Sequence, residues 1–139
     1  MVRINLINPR NLPDQHLIAE YNEILMFIGY VKKYPRLGKI PEGFRLGKGH
    51  ILFFKNKLKY IRKRHDLIRT EMKRRGFVTN KKIDISGFNR ELCNDWKPKR
   101  KDKGVIVRRL IERVKQKPKF YRYYGEYRQI KYLINLIKN

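Results

Sequence analysis

Cysteine is almost absent from this chain of 139 residues, which has Cys93 alone. No disulfide can form within the chain, so we expect a reducing, intracellular environment. No histidine or second cysteine lies near Cys93, and His16, His50 and His65 lack the spacing of metal ligands. We therefore predict no metal site, and we interpret Cys93 as a structural thiol rather than a nucleophile.

Long hydrophobic runs are also absent. No apolar segment approaches the roughly 20 residues that a membrane-spanning helix needs, and the polar, basic N-terminus lacks the core of a signal peptide. These absences predict a soluble protein that does not bind membranes. It would lie in the cytoplasm or nucleoid, or in the nucleus if the host is eukaryotic.

Acidic residues are scarce. The chain has 12 Asp and Glu against 36 Lys and Arg, which gives a net charge of +24. Self-repulsion on this scale disfavours a compact state unless a polyanion relieves it. Nucleic acid is the obvious polyanion, because each Lys or Arg at a phosphate releases condensed counterions. A surface of merely solubilising lysines is the alternative, but the basic residues cluster and alternate with aromatic residues.

The pattern of apolar residues predicts an all-α fold. We expect one domain over residues 1–139, with three main helices, long loops, an extended N-terminal arm (residues 1–12) and a short helical extension (residues 127–139). The three helices are predicted from Asp14 to about Lys33, from about His50 to Arg75, and from Val105 to about Lys115. No segment resembles a ladder of β-strands. The apolar side of the extension favours docking on its own core over dimerisation, so a monomer is expected.

The common catalytic signatures are missing, including G-x-S-x-G, a Walker loop, paired acidic metal ligands and H-E-x-x-H. The few acidic residues are therefore informative. Glu20 and Glu23 lie three residues apart on the first predicted helix and share a face with His16. On a surface that phosphates must approach, such carboxylates either take part in chemistry or pair with local arginines. His65 lies in the apolar stripe of the second helix, which indicates a core histidine.

Six blocks, in order, resemble the pyrimidine-dimer DNA glycosylase/AP lyase family of the phage endonuclease V type. The resemblance runs from residue 2 to about residue 125, is poor between about residues 80 and 103, and leaves the segment from Tyr127 as an extension. The blocks are Val2–Leu6 (VRINL), Asp14–Glu23 (DQHLxAEYxE, with positions 18 and 22 unmatched), Gly49–Phe54 (GHILFF), Arg62–Arg64, Lys73–Phe77 and Lys117–Gly125 (KPKFYRYYG).

The resemblance implies a reaction and its two reacting groups. Removal of Met1 would expose the α-amine of Val2, which attacks C1′ of a damaged nucleotide, expels the base and leaves an imine. Loss of the C2′ proton then eliminates the 3′ phosphate, and Glu23 acts as acid and base. An α-amine has a pKa of about 7.7–8.0, so it is far more nucleophilic near neutral pH than lysine. This chemistry needs no cofactor.

The resemblance also implies a set of DNA-binding positions that hold a bent duplex with a base flipped out of the stack. At positions 22 and 26 the phage pattern has arginines, whereas this chain has Asn22 and Met26, so the preferred lesion stays open. The DNA-binding positions are Arg3, Gln15, His16, Asn22, Met26, Arg109, Arg113, Tyr121, Arg122, Tyr123 and Tyr124.

Three hypotheses follow for the function. The first is a glycosylase with β-elimination lyase activity on duplex DNA that carries a lesion, chiefly pyrimidine dimers, or an abasic site. Its variants are an abasic-site lyase and a glycosylase for a broader set of damaged bases. The second is a non-catalytic, architectural DNA-binding protein, against which Glu23 on a basic surface argues. The third, an RNA-binding protein, has no recognisable RNA-binding motif to support it.

Overall fold

Five α-helices make up most of the computed structural model, which describes residues 3–139. They are α1 (Asp14–Lys33), α2 (Gly49–Phe54), α3 (Leu58–Arg74), α4 (Arg100–Gln116) and α5 (Ile130–Lys138). Two short 3-10 turns, Pro9–Asn11 and Arg90–Leu92, and one small hairpin complete the elements. The predicted all-α fold is confirmed. No helix in the described part of the chain is long and apolar enough to cross a membrane.

The continuous helix that the sequence predicts from about His50 to Arg75 is divided into α2 and α3. At the break, Lys57 has φ −127° and ψ 41°, outside the helical region. The freed carbonyl of Asn56 accepts a hydrogen bond from the Asn94 side chain at 2.8 Å and a longer one from the Asn94 amide. A segment nearly 40 residues away therefore stabilises the interruption, and this partner replaces the next turn of helix.

Helix α4 begins at Arg100, five residues before the predicted start at Val105. The cause is an acidic N-terminal cap, since the Asp102 carboxylate accepts a hydrogen bond from the Lys99 amide at 2.9 Å. The negative charge of Asp102 in the first turn also interacts favourably with the helix dipole. The second half of the basic segment Lys97–Lys103, which the predicted helix does not include, is consequently helical.

The aromatic segment after α4 forms a hairpin that the sequence does not predict. Its strands are β1 (Arg122–Tyr123) and β2 (Glu126–Tyr127), paired antiparallel. Tyr124 and Gly125 at the turn have φ values of +52° and +80°, as a tight hairpin turn requires. Their amides donate to the Asp14 carboxylate at 3.0 and 2.7 Å. The start of α1 thereby fixes the turn.

The core lies between α1, α3 and α4, and the N-terminal arm contributes to it. The arm residues Ile4, Leu6, Ile7 and Leu12 are buried, so the arm is packed into the domain. Helix α5 packs against α4 and buries Leu133 and Ile137, which confirms that the C-terminal extension docks on its own core.

Glu20 and His65 are polar residues of the core with defined partners. Glu20 is completely buried and pairs with Arg64, whose Nε and Nη2 donate to the carboxylate at 2.7 and 3.0 Å. The arginine alternative therefore applies to Glu20. His65 is a core histidine, as predicted, because it is fully buried and stacks on Tyr21 with ring centroids 4.8 Å apart.

The Glu20–Arg64 pair should be essential for stability. Arg64→Met keeps the apolar stem but leaves the Glu20 carboxylate buried without its partner, which should lower the free energy of unfolding by about 3–5 kcal/mol. Urea denaturation measures this loss. The matched variant, Lys63→Met, breaks the exposed Lys63–Asp95 pair and should cost at most about 1 kcal/mol. Equal losses in the two variants would contradict the structural importance of Arg64.

Candidate nucleic-acid groove and its carboxylate

A groove of about 330 Å³ lies between the arm, α1, α4 and the segment that precedes the hairpin. It brings together residues from four parts of the chain, including six of the positions predicted to be functional. Its lining residues are Arg3, Asn5, His16, Ala19, Glu23, Arg109, Leu110, Arg113 and Tyr121.

Glu23 projects from α1 into this groove and holds the arm. Its Oε2 accepts a hydrogen bond from the Arg3 amide at 3.0 Å. Burial raises the pKa of the Glu23 carboxyl above its ordinary value, and the nearby charge of Glu20 adds to this effect, while the Arg3 amide and guanidinium oppose it. Glu23 is thus a half-buried carboxyl that keeps its proton to higher pH than a surface glutamate does.

His16 is held flat against Tyr121 at the wall of the groove. The two rings stack with centroids 4.7 Å apart and an interplanar angle of 17°. Burial, together with the smaller effects of the Arg113 and Arg3 charges, lowers the pKa of His16 from 6.5 to about 4. His16 is therefore neutral near pH 7 and acts there as a polar ring rather than as a cation.

Three arginines supply the positive charge of the groove. Arg109 and Arg113 lie four residues apart on α4, so one helix face presents both. Burial lowers the pKa of Arg3, and the positive charges of Arg109 and Arg113 lower it as well, while Glu23 opposes the shift. Such a cluster favours an anionic ligand, because the anion relieves the repulsion.

Several buried polar atoms in the groove have no hydrogen-bond partner among the described residues. They include Asn5 Oδ1, His16 Nδ1 and Arg109 Nε. An unsatisfied buried polar group costs about 1–3 kcal/mol, so a ligand that offers donors and acceptors here would regain that energy. Asn5 is 4% exposed and was not among the predicted site residues. Its only sequence signal is a polar side chain between the apolar Ile4 and Leu6.

Gln15 and Arg122 lie beyond the groove lining, and both contact other residues of the chain. The Gln15 amide donates to the Phe120 carbonyl at 2.7 Å and accepts from the Arg122 amide at 3.0 Å. The Arg122 guanidinium stacks on Tyr127, 4.4 Å from the ring centroid. Gln15 therefore fixes the segment that carries Tyr121, and contacts of either residue with DNA stay a prediction.

Tyr123 and Tyr124 also lie outside the groove lining. Their rings contact the Arg75 guanidinium at 4.7 and 4.9 Å. The Tyr124 hydroxyl donates to Glu71 at 2.9 Å, and the Tyr123 hydroxyl donates to the Arg10 carbonyl at the same distance. These contacts give both tyrosines a structural role, and their contact with DNA likewise stays a prediction.

The remaining predicted positions are on or before α1. Asn22 is exposed, and Met26 is 64% exposed, so neither is held by the core. Val2 and Met1 lie outside the described residues. Among residues 3–139, no group of three or more His, Cys, Asp or Glu side chains is placed to hold a metal ion.

The all-α fold and the cationic groove with its carboxylate define a protein built to bind a polyanion. The model of the family described as pyrimidine dimer DNA glycosylase matches residues 1–85, which is more than half of the chain. The chain belongs to this family and is a DNA-repair glycosylase that acts on damaged DNA. The matched range includes Arg3, His16 and Glu23, whereas Arg109, Arg113 and Tyr121 lie beyond it.

The neutrality of His16 can be tested by NMR titration. Its midpoint should lie near pH 4. The unfolded chain takes up this proton at a higher pH than the folded protein does. The free energy of unfolding should therefore fall as the pH falls from 6.5 towards 4. Arg113→Gln should raise the midpoint, yet keep it below 6.5, because burial is the larger cause. Arg108→Gln, the exposed neighbour on α4, should leave it unchanged, and a wild-type midpoint near 6.5 would contradict this account.

Proposed function

We propose that the protein is a DNA N-glycosylase with β-elimination lyase activity on pyrimidine dimers, with the α-amine of Val2 as nucleophile once Met1 is removed. The observation that carries this proposal is the hydrogen bond of 3.0 Å between the Arg3 amide and Glu23 Oε2. Residue 2 precedes Arg3 directly, and consecutive Cα atoms lie 3.8 Å apart. The chain is thus anchored on the proposed acid and base one peptide unit after the proposed nucleophile.

The amine is suited to its role by its ordinary acidity. An α-amine has a pKa of about 7.7–8.0, so a useful fraction is neutral near pH 7, whereas lysine at about 10.4 is almost fully protonated. Arg3, Arg109 and Arg113 line the groove, and like charge disfavours the ammonium form further. A neutral amine can attack without first losing a proton to solvent.

In the first stage, the amine lone pair forms a bond to C1′ of the damaged nucleotide. The glycosidic bond breaks, its electron pair leaves with the base, and the base takes up the proton that the attacking amine loses on bonding to C1′. Opening of the sugar ring then gives an imine between the amine and C1′, with a proton delivered to the ring oxygen. The raised pKa of Glu23 suits this carboxyl to deliver that proton.

In the second stage, the imine acidifies the C2′ proton. A base removes it, the electron pair forms a C2′–C3′ double bond, and the 3′ phosphate departs with the C3′–O electron pair. Glu23, having given up its proton, is the available carboxylate base at the groove. Hydrolysis of the imine releases the free amine for the next cycle.

The arginines of the groove support binding of the phosphates that flank the reacting sugar. Guanidinium groups pair with phosphate in two-point contacts. The neutral His16 ring on Tyr121 provides a flat wall that a sugar or base can meet without charge. His16 Nδ1 and Asn5 Oδ1, which lack protein partners among the described residues, offer hydrogen bonds there.

An abasic-site lyase without preference for dimers is the alternative, and Asn22 and Met26 favour it. Both side chains are exposed on α1 and neither carries charge. Contacts that select a lesion would then be fewer, whereas the groups for imine formation would be unaffected.

The covalent step is tested by borohydride trapping on an abasic-site duplex. The wild-type protein should form a covalent adduct whose modified peptide begins at residue 2. Acetylation of the N-terminus should abolish the adduct, because an amide has no nucleophilic lone pair. Glu23→Gln should cut turnover by about 10²-fold or more, the contribution of an acid–base group, while leaving DNA binding intact.

The matched control for this experiment is Glu42→Gln. It makes the same change at an exposed carboxylate in the loop before α2 and should keep wild-type turnover. An adduct on a lysine, or one that survives acetylation, would sink the proposed nucleophile.

The salt dependence of binding tests the role of positions 22 and 26. Asn22→Arg and Met26→Arg should each steepen the slope of log K against log salt by about 0.9, because each arginine adds one phosphate contact. Fluorescence anisotropy on dimer-containing and intact duplexes measures the slope. Asn22→Gln and Met26→Leu change the side chain without adding charge and should leave it unaltered. Unaltered slopes in the arginine variants would place this part of α1 away from the DNA backbone.

A further inference from the structure

His50, at the start of α2, holds the arm one residue after the position that Glu23 binds. Its Nε2 accepts a hydrogen bond from the Ile4 amide at 2.9 Å, and the ring is 2% exposed. The Arg3 amide donates to Glu23, so two successive amides of the arm are bound by acceptors on different helices. The arm therefore cannot slide or rotate here without breaking one of these bonds.

The partners of His50 fix its protonation state. The Ile4 amide is a donor, so Nε2 must carry a lone pair, and the proton lies on Nδ1, which donates to the Arg45 carbonyl at 3.0 Å. The pKa of His50 is lowered to about 4, mainly because the ring is buried; the bond to Arg45 opposes this shift and the Arg3 charge contributes to it. The rings of Phe44 and Phe54 meet the imidazole edge to face at 5.5 and 5.1 Å, which restricts its rotation.

The arm beyond Ile4 is held in an unusual backbone conformation. Leu6 has φ +55°, and the Ile7 amide donates to the Asn5 carbonyl, which makes a tight three-residue turn that leucine rarely adopts. Burial of the Leu6 side chain and the bond from Arg64 to the Ile7 carbonyl hold this turn. The arm thus enters the groove from a fixed point, and Glu23 and His50 fix the positions of Arg3 and Ile4, the first residues that the structure describes.

We propose that His50 is a positioning residue, whose hold on the Ile4 amide sets where the N-terminal amine meets the DNA sugar. This inference rests on the proposed function. His50 acts through the arm and neither contacts DNA nor transfers a proton. A misplacement of about 1 Å at a reacting group can cost about 10²-fold in rate, so a single hydrogen bond this close to the amine can control the reaction.

The clamp is tested first on the wild-type protein without DNA. Nitrogen NMR of the imidazole should show His50 protonated on Nδ1 and not on Nε2, and the Ile4 amide should exchange slowly with solvent. A proton on Nε2, or rapid exchange of Ile4, would refute the inference. Neither measurement depends on a variant or on activity.

Three variants then connect the clamp to the reaction. His50→Leu removes the acceptor, and His50→Gln offers an oxygen to the Ile4 amide. His65→Leu is the matched control, because it removes another buried histidine, whose ring bonds to the Tyr21 carbonyl of α1 and not to the arm. For each, we measure single-turnover imine trapping at saturating enzyme, affinity for a duplex with an uncleavable abasic analogue, and thermal stability.

We expect His50→Leu to slow imine formation about tenfold or more with affinity within about twofold of the wild type, and His50→Gln to recover most of the rate. His65→Leu should lose stability without this loss of rate. A wild-type rate in His50→Leu, or an equal loss in His65→Leu, would overturn the inference. If His50→Leu does not fold, a slow His50→Gln whose Ile4 amide remains protected would overturn it. A wild-type protein that forms no adduct would instead overturn the proposed function and leave the NMR result standing.

Discussion

The buried side chains of Arg64, in α3, and Arg75, directly after α3, hold the N-terminal arm, and the geometry of the groove depends on them. Residues 3–12 of the arm have no strand partner, so their carbonyl groups need donors from elsewhere. Arg64 donates to the Ile7 carbonyl while it pairs with Glu20. At the C-terminal end of α3, Arg75 donates to the carbonyls of Pro9 and Leu12. These side chains are counted in the net charge, yet they serve the interior and not a ligand.

The acidic residues that contact these arginines or the arm also divide into those that serve the interior and one that faces the groove. Glu20 and Glu71 are buried against arginines, and Asp14 joins Arg75 to the amides of the hairpin turn. Among the residues that line the groove, Glu23 is the carboxylate, and its bond is to a backbone amide. A carboxylate bonded to an amide keeps its protonation more adjustable than one neutralised by an arginine, because no full charge has to be separated when it takes up a proton.

The sequence pattern predicts those features that depend on local periodicity. The apolar stripe of α1, the core position of His65 and the docking of α5 each follow from residues three or four apart, and each is confirmed. The break at Lys57 could not be predicted, since it depends on Asn94, which is distant in sequence. The hairpin turn is stabilised by Asp14, about 110 residues before it.

The two carboxylates of α1 show why site assignment needs more than a helix face. Glu20 and Glu23 lie three residues apart and share one pattern, yet Glu20 is paired in the core and Glu23 faces the groove. The two carboxylates differ because Arg64 pairs with Glu20. The spacing of residues in α1 does not identify Arg64 as that partner. His50 and Asn5 escaped the site prediction for a similar reason, because their roles depend on where the arm lies and not on their own neighbours in sequence.

The groove is assembled from two halves of the chain with different tasks. The arm and α1 supply Glu23 and the bound amides, all within the range that matches the family. Helix α4 and the segment before the hairpin supply Arg109, Arg113 and Tyr121. Gln15 and Asp14, at the first turn of α1, join the halves by hydrogen bonds to backbone groups of the second half. Because these bonds bind backbone and not side chains, the position of Glu23 does not depend on the side chains of the second half that supply positive charge.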